Sequence, residues 1–159
     1  MLEELHILLI EDNATDIELI TEALKEVPHG YILESATDGE VGLQRLYSTE
    51  IKPNLILLDL NLPKKSGLEV LKEIKKDASL RAIPVIILSN SKSEDDIVLA
   101  YASHCNAYVR KPLGFDELSK CVLEITNFWF RCAILPKQTA VPVTSLTNPP
   151  APQTGFEPV

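Results

Sequence analysis

Glu11-Asp12, Asp59, Ser89 and Lys111 are the residues of this chain whose types could do chemistry together. Each stands at the end of a short strand-like segment: Leu5-His6-Ile7-Leu8-Leu9-Ile10 before Glu11, Leu55-Ile56-Leu57-Leu58 before Asp59, Val85-Ile86-Ile87-Leu88 before Ser89, and Ala107-Tyr108-Val109-Arg110 before Lys111. Carboxylates gathered at one edge repel. At ~4 Å and an effective dielectric of 20, each like-charged pair costs on the order of 4 kcal/mol. One lysine does not offset the charges of Glu11, Asp12 and Asp59. A hard divalent cation with oxygen ligands does, and Mg²⁺ (or Mn²⁺) is the natural candidate. Such a site suits phosphoryl transfer, because the cation and Lys111 neutralise the charge of the incoming group. Asp59 is then the nucleophile, giving an aspartyl phosphate. Ser89 can hydrogen-bond a phosphoryl oxygen.

The elements that must position these residues follow from the apolar patterning. Four large apolar residues, Leu55 to Leu58, are too few for a helix and sit between Pro53 and a turn-like Asn61-Leu62-Pro63. That pattern predicts a strand buried on both faces, as in a parallel sheet covered by helices. Helical periods lie between the strands. Asn13 caps the first helix, with Asp16 and Glu18 at its positive end and Ile17, Ile20 and Leu24 on one face. A short strand over Tyr31–Ala36 precedes a helix opened by Asp38-Gly39, with Leu43, Leu46 and Tyr47 inward. Ser66-Gly67-Leu68-Glu69 is a capping box. Ser93 caps a helix with Ile97, Ala100 and Tyr101 inward, and a last helix spans about 115–130 with Leu118, Val122 and Ile125 inward. Five strands alternating with five helices predict a doubly wound α/β fold with helices on both faces. In such sheets the functional crevice lies at the carboxyl ends of the strands, where the chemistry-bearing residues stand.

Composition narrows the function. The chain has 159 residues, 45% of them hydrophobic, enough for one domain with a sizeable core plus an extension. Its formal net charge is -8, and no Lys/Arg stripe offers a face for nucleic acid. No apolar run approaches bilayer length, and the acidic start Met1-Leu2-Glu3-Glu4 argues against a signal peptide, so a cytoplasmic protein is expected. Cys105, Cys121 and Cys132 match no metal spacing and cannot all pair, which fits reduced thiols. The expected domain runs over 1–135. Six of the eleven prolines fall in 136–159, a Pro-rich tail and not a second domain.

Taken as a set, Glu11-Asp12, Asp59, Ser89, Tyr108 and Lys111-Pro112 resemble the response-regulator receiver family of two-component signalling over about residues 4–130. The resemblance implies a flavodoxin-like sheet of order 2-1-3-4-5. It implies that Asp59 accepts a phosphoryl group from a sensor histidine kinase. Glu11, Asp12, Asp59 and the backbone carbonyl of Asn61 would hold Mg²⁺, and Lys111 would contact the phosphoryl group. Ser89 would move towards that group with Tyr108 swinging in behind it, and Lys111-Pro112 would be cis. Glu11-Asp12 replaces the commoner Asp pair. His104-Cys105 replaces the usual Gly-Ala, a change His tolerates because it accepts positive φ better than most residues.

The segments Leu60-Asn61-Leu62-Pro63-Lys64-Lys65, His104 with Asn106, and Phe128-Trp129 with Leu135-Pro136 are similar to the single-domain regulators paired with cyanobacterial and bacterial phytochromes. A phytochrome-type kinase partner is the implied consequence. The aromatics Phe128, Trp129 and Phe130 are either a plug for the domain's own core or a dimer contact. The continuation Ala133-Ile134-Leu135 favours an isologous homodimer involving Phe128, Trp129, Ile134 and Leu135.

Other classes fit less well. Singly, Tyr108 is an ordinary strand aromatic, Lys111 a surface lysine and Glu11-Asp12 a helix cap; beside Asp59 and Ser89 they are more than that. An aspartyl-phosphate phosphatase needs a second Asp two residues after the nucleophile, and that position is Asn61. A flavin-binding protein needs a phosphate cradle after its first strand, where Glu11-Asp12 would repel the phosphate. The expected role is a switch and not a turnover enzyme, with phosphorylation biasing the surface of the fourth helix, fifth strand and fifth helix. The alternative is a receiver-like dimerisation or interaction module that takes no phosphate.

Overall fold

The computed structural model describes residues 4–48 and 50–136. The strands are β1 (Leu5–Ile10), β2 (Tyr31–Ala36), β3 (Leu55–Leu58), β4 (Val85–Ser89) and β5 (Ala107–Arg110). They form one parallel sheet in the order β2-β1-β3-β4-β5, as the resemblance implies. The helices are α1 (Ala14–Leu24), α2 (Gly39–Ser48), α3 (Gly67–Lys76), α4 (Glu94–Ala102) and α5 (Phe115–Asn127).

Side-chain alternation along the central strands divides the core in two. Leu8 and Ile10 of β1, with Ile56 and Leu58 of β3, face a cluster completed by Leu43 and Leu46 of α2, Val70, Leu71 and Ile74 of α3, and Ala100 of α4. Ile7 and Leu9, with Leu55 and Leu57, face the opposite cluster, completed by Ile20 and Leu24 of α1 and Leu118 and Val122 of α5. Burial on both faces is why β1, β3 and β4 read as unbroken apolar runs. The register does the rest. Ile10 lies beside Leu58 and Leu58 beside Ile87, while Ser89 lies beside Arg110. The residues after these positions therefore emerge together at one edge. Backbone bonds continue past the strands, from Asp59 N to Ile10 O (3.0 Å) and from Lys111 N to Ser89 O (2.8 Å).

Local signals act as read. Ser66 and Glu69 form the capping box of α3, and the Asn13 side chain accepts from Asp16 N at the start of α1. His104 takes φ 71°, so the turn before β5 survives without glycine. The three cysteines are free.

Four expectations need correction. Tyr47 and Tyr101 are half exposed and not inward. Each neighbours the buried residue of its turn, Leu46 or Ala100, and sits one step round the helix from the core-facing stripe. The Tyr101 hydroxyl instead accepts from the Tyr108 N–H (3.1 Å) on β5, an edge strand. The last helix stops being α-helical at Asn127, and Phe128–Cys132 is a π-helical turn closed by Ala133 N to Phe128 O (2.8 Å). The wider turn lets Trp129 and Phe130 lie against the α1/α5-side core, while Phe128 stays outside with its ring edge-on to Trp129 at 5.3 Å. Lys111-Pro112 is trans, the isomer most X–Pro bonds adopt. Apart from Pro136, the Pro-rich tail expected at 136–159 lies outside the described residues.

Gly67 shows how tightly the strand end is held. A Cβ there would lie 2.0 Å from Asp59 O and 2.6 Å from the Leu60 Cα. Both neighbours are backbone and cannot swing away. Gly67→Ala is expected to push the end of β3 off the start of α3 and to cost about 1–3 kcal/mol, as overpacking does. Urea denaturation beside wild type measures the loss, and an unchanged midpoint would mean the loop yields freely.

Candidate phosphoryl and metal site

The edge assembles what the strand ends promised. Glu11 and Asp59 are buried, Asp12 is exposed, and one carboxylate oxygen from each lies within 4.8 Å of the others. Lys111 is buried as well, with its ammonium inside this group. Its Nζ donates to Glu11 Oε2 at 2.5 Å and to Asp16 Oδ2 at 2.9 Å, and lies 3.6 Å from Asp59 Oδ2. Glu11 uses its second oxygen to accept from Asn13 N (3.1 Å), and Asp59 Oδ1 accepts from Leu60 N (2.8 Å). Asp59 Oδ2 is thereby the carboxylate oxygen that faces the lysine. Asn61 follows in the exposed start of the β3–α3 loop.

The site carries excess negative charge. Burial pushes the Glu11 carboxyl up to about 7, with Asp59 adding to the push and Lys111 opposing it. Burial works against the Lys111 ammonium, yet the hydrogen bonds to Glu11 and Asp16 and the Asp59 charge hold its pKa above the ordinary lysine value. Both groups move in the direction that retains a proton. That is the electrostatic signature of a place suited to a further cation. The donors are hard carboxylate oxygens from three residues, one of them exposed, which fits a divalent ion that keeps part of its water shell.

On the neighbouring strands, Ser89 is fully buried and its Oγ accepts from Ser91 N (3.2 Å). Tyr108 is half-buried against the α2/α3/α4-side core, and its hydroxyl donates to Ser91 O (3.0 Å). Ser91 is thus held on both sides of its backbone. Its own hydroxyl donates to Asp96 Oδ2 in the first turn of α4 (2.5 Å). Of the residues the sequence groups, Glu11, Asp12, Asp59 and Lys111 meet at this edge and Ser89 ends the neighbouring β4, while Tyr108 lies inside β5 beside Ile87 and reaches Ser91 through its hydroxyl. Sequence reasoning missed Asp16 as a partner of Lys111 and Ser91 as the link to α4. Asp16 left one signal: the capping box takes Glu or Gln at the third helical position, as Glu69 does in α3, and a shorter Asp there is free for other contacts. Of the four aromatic and aliphatic residues expected at a dimer contact, Trp129 packs on the chain's own core and Leu135 is half-buried. Phe128 and Ile134 are exposed, Ile134 by 98%.

The comparisons with known proteins agree with this geometry. The model of the response regulator receiver domain matches residues 7–123. The chain is 42% identical to the response regulator Rcp1 of a Synechocystis species over 135 residues, 82% of this chain and 92% of that one. The crystal structure of the phosphorylated cyanobacterial phytochrome response regulator RcpA superimposes with a TM-score of 0.82 at 43% identity, covering 85% of this chain and all of the other. That of the Mn²⁺-bound form of Rcp1 gives 0.79 at 42% identity, over 83% and 99% of the two chains. The chain belongs to the response-regulator receiver family, whose members act in two-component signalling. Among the described residues no helix is long and apolar enough to cross a membrane.

Lys111→Met should leave Glu11 buried beside Asp59 without its cation. In chelator the variant is expected to lose on the order of 3 kcal/mol. Saturating Mg²⁺ should restore part of that loss. Urea titrations in EDTA and in Mg²⁺ read both, and a deficit that Mg²⁺ leaves untouched would argue against a cation site at these carboxylates.

Proposed function

We propose that this receiver takes a phosphoryl group from the phosphohistidine of a sensor histidine kinase onto Asp59, with Mg²⁺ held by Glu11, Asp12, Asp59 and the Asn61 carbonyl. The observation that carries it is the meeting of those three carboxylates with a buried lysine at one strand edge. When bound, Mg²⁺ supplies positive charge to the phosphoryl oxygens and lowers the repulsion between them and Asp59. Asp59 Oδ2 attacks phosphorus; the O–P bond forms as the P–N bond breaks, and the imidazole nitrogen keeps the bonding pair. Asp59 Oδ1 stays on Leu60 N, which fixes the plane of the carboxylate. Lys111 lies near enough to Asp59 to meet a phosphoryl oxygen.

The response would run through β4 and β5. A hydrogen bond from the Ser89 hydroxyl to the phosphoryl group would compete with the one it accepts from Ser91 N. Ser91 also receives Tyr108 and reaches Asp96 of α4, so its displacement would alter the α4–β5–α5 surface. The likeness to phytochrome response regulators supports a phytochrome-type kinase as the cytoplasmic partner. The functional domain would be 1–135, with 136–159 an appended tail, and the chain would act as a switch and not as a turnover enzyme. Native mass spectrometry with Mg²⁺ and acetyl phosphate tests the acceptor. A phosphate adduct is expected in wild type, absent in Asp59→Asn and absent in chelator. An adduct that persists in Asp59→Asn would place the acceptor elsewhere.

The exposed Phe128 and Ile134 favour a homodimer through the end of α5 and the segment after it, with Leu135 at its border and Trp129 supporting from behind. Phe128→Asp with Ile134→Asp should convert the sedimenting species to monomer while leaving the far-UV spectrum unchanged. A wild type that sediments as monomer at every concentration would rule the dimer out.

A further inference from the structure

Among the described residues Lys111 is the buried cation of the site, and this structure does not direct it chiefly at Asp59. Its two hydrogen bonds go to Glu11 at 2.5 Å and to Asp16 at 2.9 Å, while Asp59 Oδ2 stands at 3.6 Å, an ion-pair distance beyond a good N–H···O bond. Glu11 is one of the carboxylates that can hold the metal; Asp16 is outside that group. Asp16 is therefore the partner of Lys111 that keeps its lone pairs for the lysine whatever Glu11 does. Its position explains how. Asp16 is the third residue of α1, where an acid usually folds back onto the N–H of the capping residue. Glu69 does this in α3, accepting from Ser66 N. In α1 the corresponding N–H, that of Asn13, is taken by Glu11 Oε1. The Asp16 carboxylate is released from the cap, four-fifths buried, and turned onto Lys111 Nζ. The cap itself uses the Asp16 backbone N–H and the Asn13 side chain, so it does not need the Asp16 carboxylate.

On the reading that Asp59 is the acceptor, we propose that Asp16 is a positioning residue: it holds the Lys111 ammonium away from Asp59 and competes with the incoming phosphoryl group for it. An ammonium has three donors. In the resting state two are on Glu11 and Asp16; the third is left for a phosphoryl oxygen, which then competes for the ammonium's charge with the Asp16 carboxylate held at 2.9 Å and weakens that bond. Asp16 thereby opposes both formation of the phosphorylated state and binding of its analogues.

The test uses the full chain, beryllofluoride and acetyl phosphate as phosphoryl probes, and four forms: wild type, Asp16→Asn, Asp16→Glu and Glu18→Gln. Asp16→Asn keeps the backbone cap and removes the charge. It is expected to bind beryllofluoride in Mg²⁺ about tenfold more tightly, and to be phosphorylated about tenfold faster, as loss of one charge-assisted competitor implies. Asp16→Glu should return most of the way to wild type. Glu18→Gln removes an acid from the exposed face of the same helix and should stay near wild type. In chelator, with no phosphate present, urea midpoints for Asp16→Asn, Lys111→Met and the double variant should be non-additive, because the two side chains share a bond. An Asp16→Asn that is slower than or equal to wild type overturns the proposal. So does an equal gain in Glu18→Gln, which would make the effect one of overall charge, and so do additive midpoints. If wild type itself takes up neither probe, the acceptor reading falls; if wild type takes them up and Asp16→Asn is inert, only the role of Asp16 falls.

Discussion

A single buried ammonium among more carboxylates than it can neutralise is the constraint on which this molecule turns. Lys111 touches Glu11 and Asp16 and lies near Asp59, with Asp12 at the rim. In the low dielectric of a strand edge, that imbalance makes a metal-free site costly and a cation welcome. The fold tolerates it because the cost is confined. Leucine and isoleucine fill both faces of the sheet over the last four residues of β1 and all of β3, and the site's carboxylates begin only where those two strands end. Stability and reactivity are therefore separated by one residue along β1 and β3. Ile10 and Leu58 belong to the core, whereas Glu11 and Asp59 belong to the site.

The same edge is joined mechanically to the surface. From Ser89 the connection runs to Ser91, whose carbonyl accepts from Tyr108 on one side and whose hydroxyl donates to Asp96 on the other. Tyr108 is in turn gripped at its N–H by the Tyr101 hydroxyl of α4. Two elements thus meet twice: α4 holds β5 through Tyr101, and the β4–α4 loop holds it through Tyr108. Such a closed set of bonds gives α4 a definite position relative to β5 that depends on where Ser91 sits. A small change at Ser89 need not be large to be read outside, since packed elements shift between discrete arrangements. The exposed Val98, Leu99 and Tyr101 lie on the helix that would carry the change.

How far the chain could be read from its letters follows from the kind of signal each feature leaves. Strand cores buried on two faces leave apolar runs, so β1, β3 and β4 and the residues Glu11, Asp59 and Ser89 at their ends were legible, and Lys111 followed from the alternation that places a fifth strand before it. The capping box of α3 was legible because both its partners are local. Long side chains at the border of a helix's apolar face were not. Tyr47 and Tyr101 fit the helical period, but their ring size and hydroxyls favour a position half in water, and only the neighbouring β5 edge decides where Tyr101 goes. The π-turn at Phe128–Cys132 was hidden for a similar reason. Nothing in Asn127-Phe128-Trp129-Phe130 breaks an α-helix, and the wider turn is set by how Trp129 and Phe130 fit against the α1/α5-side core.

Asp16 is the instructive omission. An acid at the start of a helix has a sufficient local explanation in the helix dipole, and sequence reasoning stops at a sufficient explanation. In the folded chain the same acid has a second partner, because Glu11, five residues earlier, takes the capping N–H and the Asp16 carboxylate turns onto Lys111. Glu11 acts at three places at once: on the cap, on Lys111 and among the candidate metal donors. Glu11 is long enough to reach the cap with one oxygen and the lysine with the other. Glu11 thus serves the capping N–H and one Lys111 donor together, and Asp16 is the second carboxylate on Lys111.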